Sequence, residues 1–223
     1  MASLINSVML AGNSGGTTAP ADFTGATLLV AVVAAGTISD SLSNSWTSAG
    51  SCGTGKNWDA TFYYCLTPAV GAAQTFTRAG GFASFPFAVI GFSGPTGYDT
   101  KTLNPVSSNG TTQTTGSITP AGANEVLIFG ATYYSNDVTS DVTGVSAGTL
   151  ALHAPPNNSG YPAGNCSVAI GYEIQTSATT RNVTFSLSGS GSEPTAGILA
   201  FTTSGGGSII PLVMHHRRQQ GMS

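Results

Sequence analysis

Short apolar runs recur along the whole chain, and clusters of Gly, Pro, Ser, Thr and Asn separate them. Such spacing is typical of the strands of an all-β sandwich or barrel. Charged residues make up only 7% of the chain, so the good helix formers Lys, Glu and Arg are scarce and we expect very little helix. The runs predict strands at 4–10, 26–35, 59–66, 74–79, 84–92, 125–134, 166–175, 182–188 and 196–203.

The second part of the chain repeats the first at a constant spacing. TFYYCLTPAVGAAQTFTRAGG, starting at Thr61, aligns without a gap on IGYEIQTSATTRNVTFSLSGS, starting at Ile170, which is an offset of 109 residues. VIGF at 89–92 falls on ILAF at 198–201 at the same offset. Each half then supplies four strands, and four strands twice over suit a two-sheet antiparallel sandwich.

This repeat predicts the domain organisation. We expect one jelly-roll-like β-sandwich domain over residues 1–204, with half-repeats at about 23–94 and 123–204. A Gly hinge and an extended C-terminal arm over 205–223 follow it.

The repeat also predicts which side chains face the core. Alternation in the run 166–175 places one set of side chains inward: Val168, Ile170, Tyr172 and Ile174. Their equivalents at the same offset are Asp59, Thr61, Tyr63 and Cys65. Phe62 and Tyr64 then fall on the outer face of their strand. Exposed aromatic pairs indicate a subunit contact or a glycan contact, unless a loop or the N-terminal strand covers them.

Charge is distributed unevenly between the body and the arm. The formal net charge is −3, but every acidic residue lies before residue 209, whereas Arg217 and Arg218 lie after it. An acidic body argues against nucleic acid as the main partner. The arm instead combines apolar and basic residues after the hinge, which is typical of a docking peptide that adds to a neighbouring sheet edge or exchanges between protomers. Its candidate contact residues are Ile209, Ile210, Leu212, Val213, His215, His216, Arg217 and Arg218. A disordered terminus is the alternative.

The N-terminus predicts no secretory signal, because no Lys or Arg precedes Lys56. The longest apolar run, 26–35, is too short to cross a bilayer. The three cysteines, Cys52, Cys65 and Cys166, have no metal-type spacing. They predict buried thiols, with a Cys52–Cys65 bridge across a hairpin as the alternative.

No residue pattern predicts an enzyme. His153 is the only histidine of the body, and it predicts a loop residue with ordinary hydrogen bonds rather than a member of a catalytic triad. The chain has three glutamates, Glu125, Glu173 and Glu193, and neither Glu125 nor Glu173 has an acidic partner on its strand face. We expect no cofactor and no metal. Aromatic rings in polar loops indicate a glycan site instead: Trp58 beside Asn57 and Asp59, or Tyr161 in the loop HAPPNNSGYP. The alternative is that these segments are simply rigid loops, since three prolines stiffen the second one.

The stretch TISDSLSNSWTSAG, from Thr37 to Gly50, carries a family resemblance together with the Tyr pair and VIGFSG that follow it. It resembles a β-sandwich module of tailed-phage structural proteins and of bacterial surface or secreted proteins, over about residues 23–204. The matching residues are Ser39, Asp40, Asn44, Trp46, Thr47, Tyr63, Tyr64, Ser93 and Gly94. The insertion at 51–58 departs from the module's compact hairpin, and the resemblance implies no catalytic activity.

The residues of this motif also have a direct physical interpretation. Asp40 and Asn44 lie where the chain must reverse, so their side chains can cap backbone amides, and Trp46 can fill the core beside the turn. The alternative is a Ca²⁺ site, but one Asp and one Asn supply fewer oxygen ligands than Ca²⁺ takes.

Together these patterns predict a non-enzymatic virion structural protein of a tailed phage or phage-like particle. It would be a capsid decoration, spike or tail-associated subunit, made in the host cytoplasm and assembled as a homo-oligomer. It would join other virion proteins through the arm, with host glycans as further ligands and no membrane contact. The alternative is a carbohydrate-binding or adhesion module at a bacterial surface or in a secreted protein.

Overall fold

All regular structure in the described residues is β-strand. The computed structural model describes residues 1–11, 16–53, 58–80, 85–104, 110–135, 141–154 and 165–203. The strands are β1 (Ser3–Leu10), β2 (Leu28–Ala34), β3 (Thr37–Asp40), β4 (Thr47–Ser51), β5 (Ala60–Leu66), β6 (Phe76–Ala79), β7 (Phe87–Ser93), β8 (Pro95–Asn104), β9 (Gly110–Thr114), β10 (Val126–Ser135), β11 (Val142–Val145), β12 (Thr149–Ala154), β13 (Asn165–Ile174) and β14 (Thr184–Thr203).

Two large antiparallel sheets arrange the equivalent strands of the two halves in the same order. The first large sheet runs β1-β7-β2-β5-β4. The second runs β8-β14-β10-β13-β12, because the C-terminal part of β14 pairs with both β8 and β10. The predicted all-β sandwich fold is therefore confirmed, and the corresponding strand orders show that the two halves share one architecture.

A small outer sheet lies on each large sheet. The first outer sheet pairs β3 with β6, and Thr17 bridges to Thr77 on the other side of β6. The second outer sheet pairs the N-terminal part of β14 with β9 and β11. The chain thus alternates between a large and an outer sheet in each half, which is jelly-roll-like connectivity.

The central core lies between the two large sheets. Both halves contribute fully buried aliphatic and aromatic side chains to it, such as Val30 and Ile90 from the first half and Ile128 and Leu199 from the second. The opposite faces of the large sheets form two outer cores under the outer sheets, one around Phe76 and one around Phe185. The duplicated unit is therefore a whole sandwich in each half, rather than four strands of one shared sandwich.

The junction between the halves is a single residue. Gly94 alone separates β7 from β8, with a φ of 98°. A Cβ at Gly94 would lie 2.9 Å from the Cα of Ala2, so both the turn and the close approach need glycine.

Candidate functional site

The side chains of β5 face the opposite way to the prediction. Phe62 is fully buried in the central core, and Tyr64 packs against the same core. Tyr63 and Cys65 lie on the other face of β5, in the first outer core. The predicted exterior position of Phe62 and Tyr64 is wrong, so neither aromatic forms an exposed contact surface.

A one-residue insertion explains the error. Val30 in β2 and Ile128 in β10 occupy equivalent positions, and they pair with Tyr64 and Tyr172 respectively. Tyr64 therefore corresponds to Tyr172. The offset between these two tyrosines is one residue shorter than the offset between Phe76 and Phe185. The loop between β13 and β14 carries the extra residue. A shift of one residue moves every side chain of a strand to the other face.

Alternation in β13 itself follows the prediction over most of its length. Val168 and Ile170 are fully buried, and Tyr172 packs against the central core. Ile174, expected inside, is 37% exposed because it is the last residue of the strand.

Trp58 is a predicted glycan contact in the described part of the chain, and its side chain is partly exposed. Its ring stacks on Tyr134 with centroids 4.8 Å apart, and it is partly buried beside Phe85 and Cys166. The neighbouring Asp59 is buried rather than presented to a ligand. Asn57 and Tyr161 lie outside the described residues.

The Asp40 carboxylate organises the loop after β3. Its Oδ1 accepts hydrogen bonds from the Leu42 amide at 2.9 Å and from Asn44 Nδ2 at 3.1 Å. Its Oδ2 accepts one from Trp46 Nε1 at 2.7 Å, and the Trp46 ring packs edge-on to Phe76. The capping role predicted for Asp40 and the core position predicted for Trp46 are confirmed.

Asn44 extends this network to a second loop. Its Oδ1 accepts from the Ala69 amide at 2.7 Å, and its Nδ2 donates to the Ala69 carbonyl at 2.8 Å. The motif S-D-x-x-x-N-x-W therefore ties the β3–β4 loop to the β5–β6 loop. Its polar side chains stabilise the fold directly.

The three cysteines are buried free thiols, as predicted, and the alternative Cys52–Cys65 bridge is wrong. Cys52 lies in the central core and Cys65 in the first outer core, on opposite faces of the first large sheet. Burial raises the pKa of Cys52 and of Cys166, so both thiols are held in the protonated form.

The titratable groups that were weighed for catalysis lie apart in small pairs. His153 Nδ1 is 3.0 Å from an Asp141 oxygen. Glu173 accepts two hydrogen bonds from Arg181 Nε, at 2.8 and 2.9 Å. Across the described ranges, no three His, Cys, Asp or Glu side chains converge as a metal ion would require. The same ranges hold no helix suited to crossing a bilayer.

The arm lies outside the described residues, and so do all eight of its predicted contact residues. Thr203 is the last described residue and the end of β14, and its Oγ1 donates to the Asn124 carbonyl at 2.6 Å. The end of β14 is therefore bonded to the segment directly before β10.

Sequence reasoning overlooked two buried polar groups. The hydroxyls of Thr132 and Thr195 are 3.0 Å apart, and they join the halves by bonding to the Trp58 carbonyl and the Ala60 amide. Glu125 is 1% exposed at the start of β10. An acidic residue directly before the apolar run VLIF was the available signal for it.

The chain matches no protein-family model, and comparisons with curated proteins and with solved structures find no match.

Proposed function

We propose that the protein is a non-enzymatic structural subunit of the virion of a tailed phage or phage-like particle, as a capsid decoration, spike or tail-associated protein. The observation that carries this proposal is the architecture: two jelly-roll-like sandwiches packed through their large sheets into one block. Jelly rolls recur in viral capsid domains. The resemblance of the Thr37–Gly50 motif to phage structural modules points the same way, and the motif's polar groups serve the fold.

The distribution of cations supports docking through the arm. Among the described residues, Arg78 is buried and donates to the Gly80 carbonyl at 3.0 Å. Lys101 donates to the Ala49 carbonyl, and Arg181 is paired with Glu173. The adjacent pair Arg217 and Arg218 is the densest basic group in the sequence and would complement an acidic partner surface. The apolar residues 209–213 would gain burial in the same contact.

Gradient sedimentation of the source culture tests this proposal. Density-gradient fractions are analysed by mass spectrometry for this chain and for capsid protein. We expect the chain in the particle fractions at a fixed ratio to capsid protein. Recovery only as free or cell-surface protein contradicts a virion role.

A deletion tests the arm separately. Removing 209–223 is expected to abolish incorporation into particles while leaving the melting temperature of the body unchanged. The matched control is the double substitution R217A and R218A, which keeps the apolar part and is expected to weaken incorporation in a salt-dependent way. Normal incorporation of the deletion variant contradicts docking through the arm.

A carbohydrate-binding module is the second candidate function, and the Trp58–Tyr134 stack favours it. Partly exposed aromatic rings can stack on sugar faces, and jelly rolls also occur in lectins. A glycan array with the intact protein and with Trp58→Ala tests this. Binding that the substitution removes supports a glycan site, whereas no binding by the intact protein contradicts it.

A further inference from the structure

Two carboxyl groups meet at one end of the second outer core. The Glu125 side chain is 1% exposed, and its Oε1 accepts a hydrogen bond from the Gly122 amide at 2.8 Å. In the described part of the chain, no N–H group and no hydroxyl group donates to its Oε2. A buried carboxylate oxygen without a donor is costly, so this oxygen requires a neutralising group.

Asp99 lies beside it on the edge strand β8. Asp99 is the extra residue at an irregularity where the pairing with β14 shifts between Tyr98 and Thr100. Its Oδ2 accepts a hydrogen bond from the Ala121 amide at 2.8 Å. Successive amides, Ala121 and Gly122, therefore hold carboxyl groups from two different strands side by side.

The described cations on the surrounding elements are bonded elsewhere: Lys101 on β8 donates to the Ala49 carbonyl, and Arg181 Nε donates to Glu173 on β13. Gln175, directly after β13, donates its backbone amide to the Glu125 carbonyl. The end of β14 contributes the hydroxyl of Thr203, which bonds to Asn124. The loop over 115–124 contains no titratable side chain. Within the described residues, a proton can therefore neutralise Glu125.

Burial raises the pKa of Glu125, and the charge of Asp99 and a side-chain hydrogen bond with Asp99 raise it further. The Gly122 amide acts in the opposite direction and is outweighed. A carboxyl group beside a second carboxylate is harder to ionise, so Glu125 keeps its proton to a higher pH than an ordinary Glu.

We propose that Glu125 is protonated beside the Asp99 carboxylate, and that this proton is a pH-sensitive clamp fastening the edge strand β8 and the loop 119–124 to the start of β10. When the proton is lost, the buried Glu125 carboxylate and the half-buried Asp99 carboxylate repel each other across the clamp. The clamp then releases β8 and the loop, next to the hydrogen bond between Thr203 and Asn124.

The sign of the pH dependence follows from the raised pKa of Glu125. The folded protein holds the proton more tightly than the unfolded chain does, so the stabilisation is complete below the ordinary pKa of Glu. It is lost as the pH rises through the folded-state pKa. Each unit of upward shift corresponds to a fall of about 3–5 °C in melting temperature for a chain of this size.

Melting temperatures between pH 4 and pH 9 test the clamp in the full chain. The melting temperature of the wild type is expected to fall as the pH rises. Glu125→Gln mimics the protonated form, so its melting temperature is expected not to show this fall. The matched control, Glu173→Gln, removes a carboxylate that is already paired with Arg181 and is expected to keep that fall. Equal pH profiles for wild type and Glu125→Gln would overturn the proposal.

Two further measurements keep the test independent of how well the variant folds. The carboxyl carbon of Glu125 in the wild type, followed by NMR, is expected to titrate well above an ordinary Glu, and an ordinary pKa would overturn the proposal. Calcium chloride at pH 8 is expected to leave the wild-type melting temperature unchanged. A rise in the wild type that is absent from Glu125→Gln would mean that a cation, rather than a proton, neutralises the pair.

Discussion

At the residue scale, the Asp40 carboxylate illustrates how a short motif can be understood from its chemistry. A carboxylate can accept several N–H donors at once, and the loop after β3 presents three of them within six residues. Sequence reasoning located this cap because Asp and Asn at a chain reversal commonly bond to nearby amides. The bond from Trp46 was not foreseen, because it depends on how the indole enters the first outer core.

We predict that Asp40→Asn destabilises the protein by about 1–3 kcal/mol, because an amide offers one acceptor oxygen where the carboxylate offers two charged ones. Chemical denaturation measures the change. Trp46→Phe removes the indole donor together with part of the ring area that packs on Phe76. In the Trp46→Phe background the effect of Asp40→Asn should shrink, since one bond is already absent. Purely additive effects would argue against the Asp40–Trp46 bond.

At the element scale, apolar strands were predictable and polar edge strands were not. β2, β7 and β10 are buried on both faces and read as continuous apolar runs. β8 and β9 consist mainly of Thr, Gly and other polar residues, because an edge strand has little face to bury. Polar strands of this kind carry no alternation of apolar and polar residues, and only pairing with β14 defines them.

The orientation of β5 shows more clearly what a local sequence pattern does not determine. Its alternation was readable, but the face that points to the central core depended on one residue in a distant loop. Local patterns fix the period of a strand, whereas the offset between repeats fixes its orientation only if no residue is inserted. Predicted contact surfaces are therefore vulnerable to a single insertion.

We predict that Phe62→Ala costs about 3–5 kcal/mol in the free energy of unfolding, because it opens a cavity in the central core between the halves. Thr61→Ala on the opposite face of the same strand is the matched control. It is expected to change stability by no more than about 0.5–1 kcal/mol. Similar small effects for both substitutions would place Phe62 outside the core.

At the scale of the whole molecule, the repeat predicted the duplication but not its layers. The outer sheets are built from short strands and from the first part of β14, which the apolar pattern had read as a separate strand at 182–188. Candidate site residues were harder to predict from the sequence than the layers were. The burial of Glu125 and the position of Asp99 beside it result from pairing between strands far apart in sequence.

Close approach of the two halves depends on small residues in β10. A Cβ at Gly130 would lie 2.5 Å from Val32 Cγ2 of the facing sheet. We predict that Gly130→Ala destabilises the protein by about 1–3 kcal/mol through overpacking, as measured by thermal or chemical unfolding. Gly144 in β11 has open space around its Cβ position, so Gly144→Ala is expected to be neutral or stabilising by about 0.5–1 kcal/mol. A larger loss for Gly144→Ala would contradict this packing.

The junction of one residue at Gly94 has a consequence for assembly under dilution. Two separate sandwiches that met through their large sheets would form a complex whose occupancy falls as the protein is diluted. Here the covalent junction holds each half next to the other at an effective concentration on the order of millimolar or above, whatever the amount of protein present. The central core therefore remains closed at concentrations where a dimer of half-length chains would have separated.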